Sequence, residues 1–181
     1  MTYVREQEHL ETPDAPWGGF QLLLNKKRGA VYHRIWHAPE SGAYLHVLGG
    51  AKDPTSGAAA SLLLLPVGRG GYGLEADRTG RYPAGALAVA RQITHYRVRR
   101  GGLGTFLMAE AVKYHGTLLS DRTNSAGVER IFDKLAATPG FQVALAPRVS
   151  QVSEAEYQDP SHPATARHTI ESVPAPRRRK G

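Results

Sequence analysis

The sequence predicts a mixed α/β (α+β) domain. It expects a mostly antiparallel central sheet containing one parallel strand pair, flanking helices, and a β-rich N-terminal third. Three observations predict it. Short apolar runs separated by turn residues fill the chain between Phe20 and Val67, which is the pattern of hairpin-connected strands. A strand, a glycine-rich loop, a helix and another strand then follow between Ala86 and Asp121, and a β-loop-α-β order brings its two strands together in parallel. A second helix and strand come before a region rich in Pro, Ser and Ala.

Phe20–Leu24 and Ala30–His37 read as strands separated by the polar turn Asn25–Gly29. Ala43–Leu48 and Ser61–Val67 are two further strands around a Gly-, Pro- and Ala-rich connection. Gly68–Gly73 has the composition of a phosphate loop, but no helical pattern follows it, and it reads as a connection. Ala86–Val98 is long, partly β-branched and free of Pro and Gly, and so reads as a strand.

Leu103, Phe106, Leu107, Ala111 and Tyr114 recur at helical spacing, with Glu110 and Lys113 on the solvent side and Gly116 as the stop. Thr117–Asp121 reads as a short strand. Asn124 or Ser125 caps a second helix, in which Val128, Ile131, Phe132 and Leu135 form the apolar face. That helix ends near Pro139-Gly140, before a strand at Phe141–Leu145. A last strand is expected at Ala166–Ile170.

The most informative segment is Arg99-Arg100-Gly101-Gly102-Leu103-Gly104-Thr105, at the junction of strand and helix. The first turn of a helix has unpaired N–H groups and partial positive charge, and a phosphate satisfies both. On this reading Gly102 and Gly104 remove Cβ atoms that would hold a pyrophosphate away, and Arg99 and Arg100 add positive charge. An ordinary turn explains the same glycines.

The order of elements and these residues together resemble the GNAT superfamily of N-acetyltransferases, over about Ala86 to Leu145. The superfamily's acetyl-CoA motif is Gln/Arg-x-x-Gly-x-Gly/Ala, and Arg99 to Gly104 fits it at each fixed position. Its next motif is a strand, an Asn and a helix closing with Tyr-x-x-Leu-Gly-Phe. The counterparts here are Leu118–Asp121, Asn124 and Phe132-Asp133-Lys134-Leu135, with Gly140-Phe141 after a short insertion.

The resemblance implies acetyl-CoA as cosubstrate, with its pyrophosphate held by Arg99, Arg100, Gly101, Gly102, Leu103, Gly104 and Thr105. The end of the preceding strand, from Thr94 through Tyr96 to Val98, would pair with the pantetheine arm and polarise the thioester carbonyl. Asn124 would lie near the pantetheine, where the two parallel strands splay, and Phe132 would belong to the cofactor site at the position where the family often supplies a Tyr as general acid. Phe has no proton to give, so Tyr114, Tyr96 or water would have to replace it. His95 is the candidate general base, because its ordinary pKa lies near neutrality, and a structural histidine is the competing reading. Glu75 and Asp77 are further carboxylates without a motif behind them.

The remaining features bound the function. The length of 181 residues suits one core, expected over residues 1–173. The absence of Cys excludes a disulfide framework, a cysteine nucleophile and a thiolate metal site. No signal-peptide pattern opens the sequence and no apolar run has the length of a membrane span, so a soluble, cytoplasmic protein with no membrane contact is expected. His33 and His37 are spaced i, i+4, but in a strand context without a zinc-protease Glu, and no metal is assigned. Trp17, Tyr32 and Trp36 suit either a core or an acceptor pocket.

Net charge is +7, and Arg177, Arg178, Arg179 and Lys180 form a basic tail within residues 174–181 that fits nucleic acid or another acidic partner, or simply solubility. Two functions follow. One is an acetyl-CoA-dependent N-acetyltransferase acting on a primary amine by direct attack on the thioester. The other is a catalytically degenerate GNAT-like binding or assembly protein, including a nucleic-acid-associated one.

Overall fold

A computed structural model describes residues 19–29, 31–49, 58–68, 75–76, 82–94, 101–121, 124–146, 153, 155–156, 159, 162–163 and 166–174. Among these residues the architecture is α+β. The strands are β1 (Gln21–Arg28), β2 (Val31–Ala38), β3 (Ala43–Gly49), β4 (Ala60–Gly68), β5 (Glu75–Ala76), β6 (Leu87–Thr94), β7 (Thr117–Leu119), β8 (Phe141–Ala144) and β9 (Thr169–Ser172). The helices are α1 (Leu103–His115) and α2 (Ala126–Ala136). The sheet order is β1-β2-β3-β4-β6-β7-β9-β8, with the two-residue β5 pairing in parallel off β4.

The first four strands and β6 form an antiparallel meander. β1 runs further than its composition suggests. Asn25, Lys26, Lys27 and Arg28, expected as a turn, pair in register with Arg34, His33, Tyr32 and Val31. Cross-strand hydrogen bonding overrides the polar character of these residues, and the reversal starts at Gly29 with φ 64°.

β6 and β7 are parallel, as the β-loop-α-β order requires, but their pairing is confined to Ala88 opposite Leu119. Beyond that point β6 continues to Thr94, whereas the Ser120 amide turns to the carbonyl of His168. The two strands therefore part after one paired position. The strand expected through Asp121 ends at Leu119, and the one expected at Ala166–Ile170 is displaced to Thr169–Ser172. In both cases the β7–β9 ladder, with Leu118 opposite Ile170, sets the limit. The second helix stops at Ala136, ahead of Pro139, and Leu145 is exposed beyond the end of β8.

Both helices lie on one face of the sheet. Leu107, Met108, Ala111 and Val112 of α1 join Phe132 and Leu135 of α2 over Leu48, Leu62, Leu64, Val89, Leu118 and Ile170. Strand alternation sends Leu45, Val47, Leu63 and Ile93 to the other face, where Phe20, Trp36 and Leu65 pack with them. β4 is consequently apolar on both faces and lies near the middle of the sheet.

One sequence expectation fails inside α1. Glu110, read as solvent-facing, is buried, and its carboxylate accepts hydrogen bonds from Arg28 at 2.6 Å and Lys113 at 3.1 Å. The long Arg28 side chain reaches this side of the helix from β1. No helix among the described residues is long and apolar enough to cross a membrane. The basic residues Arg177, Arg178, Arg179 and Lys180 lie outside the described residues.

Candidate functional site

A cleft of about 650 Å³ opens where the end of β6, the first turn of α1 and the exposed side of α2 meet. Gln92 and Thr94 form its floor. Gly102, Leu103, Gly104 and Thr105 form one wall, and Ser125, Gly127, Val128, Arg130, Ile131 and Lys134 form the other. The size is that of an ordinary small-molecule site.

The local backbone explains the chemistry of the first wall. Gly102 precedes α1 in a left-handed conformation, φ 77° and ψ 5°, and no side chain caps the helix. The first intrahelical bond is donated by Phe106 to Gly102 O at 2.9 Å. The amides of Leu103, Gly104 and Thr105 thus precede the hydrogen-bonded ladder, and the first turn carries no acidic residue. The macrodipole adds partial positive charge here, and the exposed Arg130 and Lys134 add two full charges from α2.

The two glycines have different roles. A Cβ on Gly102 would meet nothing within 4 Å, so its role is conformational. A Cβ on Gly104 would stand 3.1 Å from Gln92 Nε2, 3.1 Å from Thr94 Oγ1 and 3.2 Å from Ile131 Cδ1. Gly104 therefore serves the close approach of α1 to β6 and α2, at a point where all three neighbours also line the cleft. The amide of Gln92 donates to Gly104 O at 3.0 Å and fixes that approach.

The other predicted residues divide clearly. Thr94, Gly102, Leu103, Gly104 and Thr105 line the cleft, and Gly101 is exposed immediately before it. Phe132 does not line it. Its side chain is fully enclosed in the core, 5.2 Å from the His168 ring, because the α2 face that carries it turns to the sheet. It is a core residue rather than part of the cofactor site that the resemblance implies. Tyr114 also lies elsewhere, exposed at the far end of α1 among aromatic rings, about 14 Å of helix beyond Thr105. His95, Tyr96, Val98, Arg99, Arg100 and Asp77 lie outside the described residues.

Asn124 precedes the cleft-lining Ser125 and donates to Glu129 Oε1 at 3.1 Å. Glu129 also meets His168 Nε2 at 2.9 Å from each carboxylate oxygen. His168 Nδ1 accepts the Ala146 amide at 2.7 Å, so its proton sits on Nε2 and faces the carboxylate. Both ring nitrogens are engaged, and this histidine fastens α2 to the start of β9 rather than serving as a base. Ser125 caps α2 by accepting the Val128 amide at 3.3 Å.

Gln92, Arg130, Ile131 and Lys134 were not singled out in the sequence as site residues. The signal for Arg130 and Lys134 was their i, i+4 spacing on the polar side of a helix following the motif. Among the described residues no group of three or more His, Cys, Asp or Glu is placed to hold a metal ion. No protein-family model matches the chain, and no curated protein sequence matches it significantly.

Proposed function

We propose that the protein is an acetyl-CoA-dependent N-acetyltransferase that takes a primary amine as acceptor. The observation that carries this reading is that the Gly102–Gly104 part of the motif lines a cleft in which free helix amides oppose two basic side chains. The GNAT resemblance and the parting of β6 from β7 support it. The cleft fits a pyrophosphate-bearing ligand, with the amides of Leu103, Gly104 and Thr105 on one side and Arg130 and Lys134 on the other. When bound, acetyl-CoA would supply an activated thioester as acyl donor.

The cleft-lining residues contribute binding and orientation. Among the described lining residues none is a carboxylate, imidazole or phenol, and their contribution to rate is positioning. His95 and Tyr96, which follow Thr94 in sequence, are the proposed proton-handling groups.

A second reading, a domain that holds the ligand without transfer, is favoured by the enclosure of Phe132, which puts a core side chain without a proton to give at the family's Tyr position. Calorimetry and an amine panel with thiol-release detection separate the two. Acetyl-CoA at 100 times its Kd is expected to stabilise the fold by about 2.7 kcal/mol. Arg130→Glu with Lys134→Glu, both on exposed positions, is expected to weaken binding about tenfold or more without loss of fold. No binding at millimolar acetyl-CoA would rule out both readings. Binding without thiol release across the panel would leave the second.

A further inference from the structure

A second polar cluster lies under the opposite end of α1. His33 on β2, His46 on β3 and His115 at the end of α1 form a chain, with His33 Nε2 3.1 Å from His46 Nδ1 and His46 Nε2 2.8 Å from His115 Nε2. His33 and His46 are buried, and among the described residues His33 Nδ1 has no hydrogen-bond partner.

Proton counting fixes what this chain tolerates. Each of the two contacts holds one hydrogen, and three neutral imidazoles carry three. The third hydrogen goes to one of the two outer nitrogens, and placing it on His115 avoids an unsatisfied buried N–H on His33. A single added proton fills both ends, wherever the charge resides. It must then place an N–H on the partnerless His33 Nδ1, or break a contact. A second added proton breaks a contact in every arrangement. The neutral chain is the one that fits.

The surroundings add to this. Arg28 from β1 and Glu110 and Lys113 from α1 form the adjacent ion cluster. His37 of β2 stacks on Tyr44 of β3, and Tyr44 and Tyr114 set their rings edge-on to His115. Lys26 of β1 shares this face opposite His33, while Arg34 alternates to the other face. Burial is the main cause lowering the pKa of all three chain histidines, and the His115 value falls from 6.5 to about 4. Glu110 partly offsets the shift at His33, and neighbouring histidines reinforce it at His46 and His115.

The chain is also tied to the cleft. His46 pairs with Leu62, and Leu62 with Gln92, so one cross-strand row carries a polar side chain under each end of α1. Gln92 holds the first turn through Gly104 O, and His46 holds the last residue through His115.

We propose that the His33–His46–His115 chain is a proton-operated latch: neutral, it seats α1 on the sheet and keeps the cleft wall in place, and protonated, it releases the helix. The latch stands whether or not the cleft takes acetyl-CoA, since the seating of α1 is read without ligand.

Hydrogen exchange tests it, with rates corrected for the intrinsic pH dependence of the chemistry. For one group moving from about 4 in the seated state to 6.5 when released, the opening equilibrium of α1 at pH 5 exceeds that at pH 8 roughly thirtyfold. The change is expected across residues 104–115, while β8 and β9 stay protected. In the double variant His46→Leu/His115→Leu the same comparison is expected to flatten. Ring-nitrogen NMR of the wild type provides the second measurement, with His33 and His46 titrating below the ordinary 6.5 while α1 is seated. Unchanged α1 exchange in the wild type, opening confined to the last turn, simultaneous loss of protection in β8 and β9, or chain histidines titrating near 6.5 in the seated protein would each overturn the proposal.

Discussion

Gly102 and Gly104 are two residues apart and look alike in a motif, yet the physical demands on them differ. At Gly104 the contacts at 3.1 and 3.2 Å come from three directions, a strand amide, a hydroxyl and an Ile methyl on α2. Gly104→Ala is expected to cost about 1–3 kcal/mol through overpacking, even though Ala gains roughly 1 kcal/mol of helix propensity. Gly102→Ala meets no atom within 4 Å, and its cost is that of holding a side chain at φ 77°, about 1 kcal/mol. Urea denaturation of the two variants measures both. If Gly104→Ala proves neutral while Gly102→Ala is destabilising, the close approach is not what requires glycine at 104. The same contrast decides which variants probe the ligand. Substitutions at Gly104 report on packing before they report on phosphate, whereas Arg130 and Lys134 are exposed and report on charge.

Each helix is held by a different polar device at its ends. α2 begins at Ser125, whose Oγ accepts the Val128 amide, so Ser125→Ala is expected to cost about 1 kcal/mol and Ser125→Asp to retain most of it. Thermal denaturation of the pair checks this, and equal loss in both would show that the cap is not what holds the helix start. α1 has no such cap, and Gly116, with φ 88°, ends it by donating to Val112 O at 2.7 Å. These element boundaries were legible in the sequence because Gly, Ser and Pro act locally. The apolar spacing of Leu107, Ala111, Phe132 and Leu135 was legible for the same reason, and so was the parallel relation of β6 and β7. What was hidden depends on register. Lys26 and Lys27 look like a turn until β2 lies beside them. Glu110 looks solvent-facing until Arg28 is brought across 82 residues to meet it. The cleft was half legible: its α1 wall is one contiguous motif, but its α2 wall needed the crossing of two helices. The histidine chain was least legible, since its members are 13 and 69 residues apart and only the pairing of Ile35 with His46 and the seat of α1 join them.

For the molecule as a whole, the buried histidines make stability rise with pH. Each has a folded-state pKa below the ordinary 6.5, so the unfolded chain binds more protons than the folded one once the pH drops below about 6.5. The favourable contribution is complete above that value and is lost progressively as pH falls through the folded-state values, which for His115 means towards 4. His115 alone accounts for roughly 2–3 kcal/mol across this window, with allowance for its partial exposure. The net charge of +7 also disfavours the compact state as histidines protonate, and that repulsion is spread over the whole surface. A pH series of urea midpoints from 8 to 4 on the wild type and on His46→Leu/His115→Leu separates the two causes. The general repulsion persists in the variant, whereas the part owed to His46 and His115 disappears. The wild type is therefore expected to lose stability more steeply between pH 6.5 and 4 than the variant, with the two curves running parallel above pH 7. Equal slopes across the whole series would assign the acid sensitivity to surface charge and leave the histidine chain without a share in it.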